Sequence, residues 1–181
     1  MSRIPIVGVV GSGSQPYSER ASRLGRWLAL EGVHLLTGGG SGVMAAVSQA
    51  FYETPNRRGF VIGIIPCAEG SIRPKLGYPN PWVEIPIFTH LPLSGKRGTE
   101  PLSRNHINVL SSDVVIALPG DTGTRSEVAL ALSYNRPVVG YVESRDEIPG
   151  FPIEIPVCST FEEIQEFVRA RLRPMIDPPR A

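Results

Sequence analysis

The 181-residue sequence has no excess of charge of either sign: 18 Lys and Arg residues stand against 17 Asp and Glu residues, for a net charge of +1. A general nucleic-acid-binding protein shows a basic excess, so this balance argues against a nucleic-acid partner. Long apolar runs are also lacking: no run of roughly 18 apolar residues occurs, and we expect no membrane span. The length fits one domain with a sizeable core.

Cysteine is scarce. Cys67 and Cys158 form no metal-ligand spacing, so we expect two free thiols. His34 and His90 have no nearby cysteine or acidic pattern, and no metal site is expected around them. The opening stretch "MSRIPIVGVVGSGS" lacks an apolar segment followed by a cleavage site, which predicts a first strand rather than a signal peptide. We therefore expect a cytoplasmic protein.

Three common nucleotide and hydrolase motifs are missing. The turn "GSGSQP" after the first predicted strand fails the Gly-x-Gly-x-x-Gly fingerprint because Pro16 takes the third glycine position. The second predicted strand ends in Thr37 and glycines, with no acid to hold a ribose hydroxyl, so an NAD site is not expected. Neither a P-loop nor a Gly-x-Ser-x-Gly elbow occurs, which argues against ATP chemistry and serine hydrolysis.

Short apolar runs alternate with helical patterns along the chain. This alternation predicts an α/β fold: a Rossmann-like, doubly wound parallel sheet with helices on both faces. We expect a single nucleotide-binding domain over residues 1–172 and a loose tail over 173–181. The predicted strands are 4–10, 33–37, 59–66, 113–119 and 137–142, with an edge strand within 82–88 because Pro86 argues against a central one. The predicted helices are 16–31, 41–53 with Ser41 as cap, 101–110, 126–134, and 159–172 with Ser159 or Thr160 as cap.

Three glycine-rich turns follow predicted strands, at residues 11–14, 38–42 and 119–124. In doubly wound sheets, ligands bind beyond the carboxyl ends of the strands, so the three turns should meet at one site. The turn "PGDTGTRSE" is the richest of them. Its N–H groups around Gly123 and Thr124, with a helix dipole behind them, suit a phosphate.

Two charged residues near these turns can each be interpreted as structural or as functional. Glu127 completes a capping box with Thr124, or it faces a ligand from the first helical turn. Arg104 is either a solvated surface residue or a ligand for an anion. His106 and Asn108, in the same segment, are expected to be surface or packing residues.

Together, "VVGSGS", "ASRLGRWLALEG", "GGGSGVM", "VIGIIP", "SRNHIN" and "PGDTGTRSE" resemble the motifs of the Lonely Guy family. That family comprises cytokinin-activating and nucleotide phosphoribohydrolases with a Rossmann-like fold, often mislabelled as lysine decarboxylases. The resemblance extends over about residues 5–145, with motif order and spacing in agreement.

Two positions depart from the family pattern: Asn105 stands where the family has lysine, and Asp121 where its loop has a second glycine. The segment "YPNPWVEIPIFTHL" resembles a sister group, the molybdenum cofactor carrier proteins, which bind a phosphorylated pterin without hydrolysing nucleotides. The stretch "PLSGKRGTEPLS", residues 92–103, looks like a loop that is added in this chain relative to both groups.

The resemblance implies roles for Arg104 and Glu127 in N-glycosidic hydrolysis, with Glu127 near the ribose and its water and Arg104 steadying the developing charge. Asp121 works against a phosphate, because two charges 4 Å apart repel by roughly 4 kcal/mol at an effective dielectric of 20. This repulsion is relieved if Asp121 points away, meets Arg125, or holds a bridging magnesium ion.

Two functions are therefore predicted as alternatives. The favoured one is a carrier for a phosphorylated nucleotide-like ligand, such as the pterin of the molybdenum cofactor. The other is a nucleoside 5′-monophosphate phosphoribohydrolase using Arg104 and Glu127. We expect a homodimer or larger homo-oligomer. The predicted ligand-binding residues are Gly11, Ser12, Gly39, Gly40, Ser41, Gly120, Asp121, Thr122, Gly123 and Thr124.

Overall fold

The computed structural model describes residues 3–176. Its centre is a seven-stranded sheet in the order β4-β3-β2-β1-β5-β6-β7, in which every neighbouring pair is parallel. The strands are β1 Ile6–Val10, β2 His34–Thr37, β3 Val61–Ile65, β4 Ile85–Phe88, β5 Val114–Ala117, β6 Val138–Tyr141 and β7 Val157–Cys158. The near-continuous burial of β1, β3 and β5 explains why they appear as apolar runs without alternation.

Helices cover both faces of the sheet, which confirms the predicted fold class. The helices are α1 Ser18–Leu30, α2 Val43–Tyr52, α3 Asn105–Ser111, α4 Thr122–Ser133 and α5 Phe161–Ile176, with short 3₁₀ turns at Gly95–Arg97 and Arg145–Glu147. One core cluster joins the apolar sides of α1, α2 and α5 to the sheet. A second joins α3 and α4 to β5 and β6.

The chain reverses its direction of winding between β1 and β5. It builds β2, β3 and β4 on one side of β1, then returns to place β5 directly against β1. The carboxyl ends of β1 and β5 therefore form a topological switch point, where ligands bind in open α/β sheets.

Several predicted boundaries were wrong. The helix expected over 101–110 begins only at Asn105, and the helix expected at Ser126 begins at Thr122. Helix α5 continues to Ile176, past the predicted end at 172, and the rest of the expected tail, 177–181, lies outside the described residues. The strand β7 was not predicted because it has only two residues. The predicted edge strand is β4, and it contains Pro86.

The predicted helix caps had mixed outcomes. Ser41 does not cap α2; its hydroxyl donates to the Gly13 carbonyl oxygen at 2.6 Å, and Gly42 takes the cap position. At α5, Thr160 does cap: Glu163 N–H donates to Thr160 Oγ1 at 3.3 Å, and Thr160 N–H donates to Glu163 Oε2 at 3.0 Å.

The two cysteines are buried free thiols, as expected. Among residues 3–176, no helix combines the length and apolar character needed to cross a membrane.

Candidate functional site

Two adjoining cavities lie at the switch point. The inner cavity has a volume of about 210 Å³ and the outer cavity about 270 Å³. Both are lined by Gly11, Gly13 and Gly123, so they meet between the first turn of α4 and the loop after β1. The inner cavity is also lined by Val9, Val10, Gly38, Met44, Tyr78, Ser94, Gly95, Arg104, Asn105 and Glu127. The outer cavity is also lined by Ser12, Ser14, Asp121 and Thr124.

Arg104 is buried at the start of α3 and lines the inner cavity. Arg104 is only 4% exposed, and its Nε and Nη1 atoms have no hydrogen-bond partner among the described residues. The guanidinium lies against Gly38, where an added Cβ would come within 2.2 Å of Nη1. A buried cation with unpaired donors is costly, so this arrangement favours an anion as its partner.

The first turn of α4 presents further donors. The N–H groups of Gly123 and Thr124 have no acceptor within the described part of the chain, as is usual for the start of a helix. Thr124 Oγ1 is buried and likewise unpartnered there. The turn and the loop after β1 pack closely because Gly120 has no side chain. An added Cβ there would lie 2.2 Å from Thr124 Oγ1 and 2.7 Å from Ser12 N. The turn is thus an electropositive pocket at the junction of the two cavities.

Glu127 is half-buried and lines the inner cavity from the second turn of α4. The predicted capping box with Thr124 is wrong, because Asp121 occupies the N-cap position and α4 starts at Thr122. Instead, the buried Asn108 amide donates from Nδ2 to Glu127 Oε1 at 2.8 Å. Burial raises the pKa of the Glu127 carboxyl, and the charge of Arg104 and the hydrogen bond from Asn108 oppose that rise.

Replacing Glu127 with Gln should therefore stabilise the protein in a pH-dependent way. Because the pKa of Glu127 is raised above 4.5, the folded protein holds this proton more tightly than the unfolded chain does. Raising the pH from about 4.5 through the raised pKa then lowers the free energy of unfolding. Glu127→Gln removes this loss, so its stability advantage should appear above that window and vanish towards pH 4.5.

Urea unfolding of the parent and variant at a series of pH values measures this advantage. Glu166→Gln, which neutralises an exposed carboxylate on α5, is the control for the loss of one negative charge. A constant difference between Glu127→Gln and the parent at every pH would show that the Glu127 pKa is not raised.

Asp121 is exposed at the N-cap of α4 and lines the outer cavity, but its side chain makes no capping hydrogen bond. It forms no ion pair with Arg125, whose side chain lies against Gly150 instead. Over residues 3–176, no group of three or more His, Cys, Asp or Glu side chains is arranged to hold a metal. A magnesium ion at Asp121 would therefore need phosphate oxygens and water as its other ligands, and it stays a prediction.

The other predicted ligand residues fall into two groups. Gly11, Ser12, Gly123 and Thr124 line the cavities. Gly39, Gly40, Ser41, Gly120 and Thr122 do not line them. At least three of these shape the walls: Gly40 lies against Met44 and Tyr78, Gly120 against Ser12, and Ser41 holds the loop after β1.

Several lining residues had no local signal in the sequence. Met44 was part of an apolar helical pattern, and Tyr78, Ser94 and Gly95 belong to the Pro- and Gly-rich segment before α3. Asn108, expected to be a packing residue, is buried and also positions Glu127. Asn108 and Glu127 lie on two different predicted helices, so only the packing of these helices against each other could have suggested the contact.

The family model of the SLOG cluster4 family matches residues 4–163. An uncharacterized protein of Archaeoglobus fulgidus is 31% identical over 134 residues, which span 73% of this chain and 76% of that protein.

Two solved structures are similar over almost the whole chain. The molybdenum cofactor binding protein of Rippkaea orientalis has a TM-score of 0.71 and 33% identity, covering 94% of this chain and 98% of that one. The Moco carrier protein of Chlamydomonas reinhardtii has a TM-score of 0.70 and 29% identity, covering 94% and 99%. With its fold, its switch-point site and a family match over residues 4–163, the chain belongs to the SLOG cluster4 family, which confirms the resemblance drawn from its sequence.

Proposed function

We propose that this protein binds and carries a small phosphorylated ligand of nucleotide or pterin type. The observation that carries the proposal is the buried guanidinium of Arg104, whose Nε and Nη1 have no hydrogen-bond partner within residues 3–176, in a cavity that also borders the first turn of α4. A phosphate between Arg104 and the N–H groups of Gly123 and Thr124 would satisfy these donors together. The similar proteins from Rippkaea and Chlamydomonas, which are named for binding or carrying the molybdenum cofactor, support a ligand of this class.

The rest of the inner cavity suits a flat ring system. Met44, Tyr78, Val9 and Val10 provide apolar and aromatic surface beside the polar end formed by Arg104. Small-molecule sites commonly combine such a surface with a few convergent polar groups. A pterin or purine ring packed there would leave its phosphate at α4.

A phosphoribohydrolase is the second candidate, and Glu127 is the observation that favours it. Its carboxyl lies in the inner cavity, is held by Asn108 and has a raised pKa, which are properties of a general acid or base. In this function Glu127 would activate the water that attacks the N-glycosidic bond, and Arg104 would stabilise the developing charge. We favour the carrier because the outer cavity carries Asp121 and the position after Arg104 is the neutral Asn105.

Titration calorimetry with AMP, adenosine, inorganic phosphate and the phosphorylated pterin of the molybdenum cofactor tests the proposal. AMP should bind more tightly than adenosine, and the pterin more tightly than AMP, without release of adenine on chromatography. Adenosine binding as tightly as AMP would contradict phosphate recognition. Adenine release that disappears in Glu127→Gln would establish the hydrolase instead.

Removing the Asp121 charge should strengthen binding of AMP. The carboxylate of Asp121 is exposed beside the α4 turn, so its repulsion of a phosphate is screened, and we expect a gain of about fivefold for Asp121→Asn at low salt. The gain should shrink with added salt. Magnesium should also reduce it, if the parent uses Asp121 to hold a bridging cation.

Asp146→Asn is the matched control, because Asp146 is also exposed but lies in the loop after β6. It changes the net charge equally and should leave AMP affinity unchanged. Equal effects of the two substitutions would show that only overall charge matters and that Asp121 is not beside the ligand.

The expected homo-oligomer and cytoplasmic location stay predictions. Sedimentation velocity on the purified protein tests the first of them.

A further inference from the structure

The segment between β4 and α3 includes residues 94–98, here named the closing segment, which packs onto the first turns of α4. Ser94 and Gly95 line the inner cavity together with Arg104 and Gly123. If Gly123 carried a Cβ, that atom would lie 3.6 Å from Gly95 Cα and 3.9 Å from Gly95 N. The closing segment therefore packs directly against the α4 turn and borders, from the side, the cavity where the proposed function places a phosphate.

Two contacts hold the closing segment in place. Ser126 Oγ lies 2.9 Å from the Gly95 carbonyl oxygen and 2.8 Å from the Thr122 carbonyl oxygen, and its single hydroxyl hydrogen, shared between them, ties the tip of the segment to α4. Gly98 is buried, and an added Cβ would lie 2.6 Å from Asn105 Nδ2 and 2.7 Å from Ser126 Cβ. Only glycine lets the segment approach α3 and α4 so closely.

The backbone of Gly95 is arranged to leave its amide free. Its φ of 59° is a left-handed conformation that favours glycine. Its carbonyl is used by Ser126, but among the described residues no acceptor takes its N–H. The same cavity holds the buried guanidinium of Arg104, whose Nε and Nη1 lack a hydrogen-bond partner in the described part of the chain. Gly95 thus adds a donor beside those of α4 at the same cavity.

We propose that the closing segment is a wall of the ligand site, in which Gly95 N–H donates to the bound anion and Ser126 holds Gly95 in position. The inference rests on the proposed function and adds to it a binding residue, Gly95, and a positioning residue, Ser126. Because Asn105 beside Arg104 is neutral, Arg104 is the one cation at this position. The N–H donor of the wall adds to the attraction that Arg104 provides. The wall also slows escape of the anion from the α4 turn.

Hydrogen exchange at the Gly95 amide, with and without AMP or the phosphorylated pterin, tests the wall. The bound probe should slow exchange at Gly95 in the parent. Ser126→Ala should remove most of this ligand-dependent protection and raise the dissociation constant of the probe about three- to tenfold, the effect of losing roughly one hydrogen bond.

Ser133→Ala is the matched control. Ser133 Oγ donates to the carbonyl four residues earlier on α4, as Ser126 Oγ also does, but it is exposed and away from the cavities. It should change neither quantity. If Ser126→Ala does not fold, Gly98→Ala serves in its place, because the added methyl displaces the same segment.

The outcomes separate the wall from the site itself. If the probe binds the parent but leaves exchange at Gly95 unchanged, or if Ser126→Ala binds as the parent does, the wall is wrong and the proposed function stands. If neither AMP, inorganic phosphate nor the phosphorylated pterin binds the parent, the proposed function fails, and the wall with it.

Discussion

Replacing Arg104 with Met is expected to remove most of the affinity for a phosphorylated ligand and, at the same time, to stabilise the protein without ligand. The affinity loss should be about 1.5–3 kcal/mol, the range for hydrogen bonds to charged groups. The stability gain should be about 1–3 kcal/mol near pH 4.5, because Nε and Nη1 are buried without partners among the described residues and each such donor carries a desolvation cost. The gain should be smaller at higher pH, because the Glu127 carboxylate then loses the compensating charge of Arg104. Met keeps apolar volume against Gly38 and Tyr78.

Calorimetry with AMP and urea unfolding without ligand measure the two effects on the same samples. Arg145→Met is the control: the Arg145 guanidinium donates to the carbonyl oxygens of Pro152 and Ile155, each at 2.8 Å. That substitution should lower stability and leave AMP affinity unchanged. If Arg104→Met also destabilises the protein near pH 4.5, Arg104 is a structural residue and its burial gives no argument for an anion.

Adding one methyl at Gly120 is expected to disrupt the site and the fold around it. A Cβ there would lie 2.2 Å from Thr124 Oγ1, 2.7 Å from Ser12 N and 3.0 Å from Gly11 C. Two of these three atoms belong to the backbone of the loop after β1, so no rotamer change relieves the overlap. We expect Gly120→Ala to cost about 3 kcal/mol, at the upper end of the usual range for overpacking, and to abolish detectable AMP binding.

Gly123→Ala is the matched comparison for stability, because it adds the same methyl three positions later in the same turn. Its nearest neighbour would be Gly95 Cα at 3.6 Å, an ordinary contact, and Gly123 lies inside α4. Replacement of a helical glycine by alanine favours folding by up to about 1 kcal/mol. Thermal unfolding should therefore separate the two variants clearly. Equal melting temperatures would mean that the loop after β1 moves freely away from Gly120.

The fold was predictable because its signals are local. The buried apolar runs of β1, β3 and β5 and the apolar faces of α1 and α5 each follow from a short stretch of sequence. The glycine turns after β1, β2 and β5 mark one edge of the sheet, so the location of the site followed from the topology.

The composition of the site was less predictable because its contacts join distant segments. The capping box at Thr124 and Glu127 fits a local motif, but α4 begins at Thr122, and Glu127 is paired with Asn108 on another helix. Tyr78 and Gly95 reach the cavity through an irregular segment whose path is set by packing on α4 rather than by periodicity. The sequence pointed to Asp121 because a carboxylate does not suit a phosphate-binding turn. The structure places Asp121 in the outer cavity rather than beside Arg104.

The most direct test of the central claim is a crystal structure of the protein with AMP or the phosphorylated pterin of the molybdenum cofactor. The phosphorus should lie between the guanidinium of Arg104 and the N–H groups of Gly123 and Thr124, with the ring system against Tyr78 and Met44. Ligand density at the opposite edge of the sheet, or at this edge with the phosphate turned away from Arg104, would contradict the account.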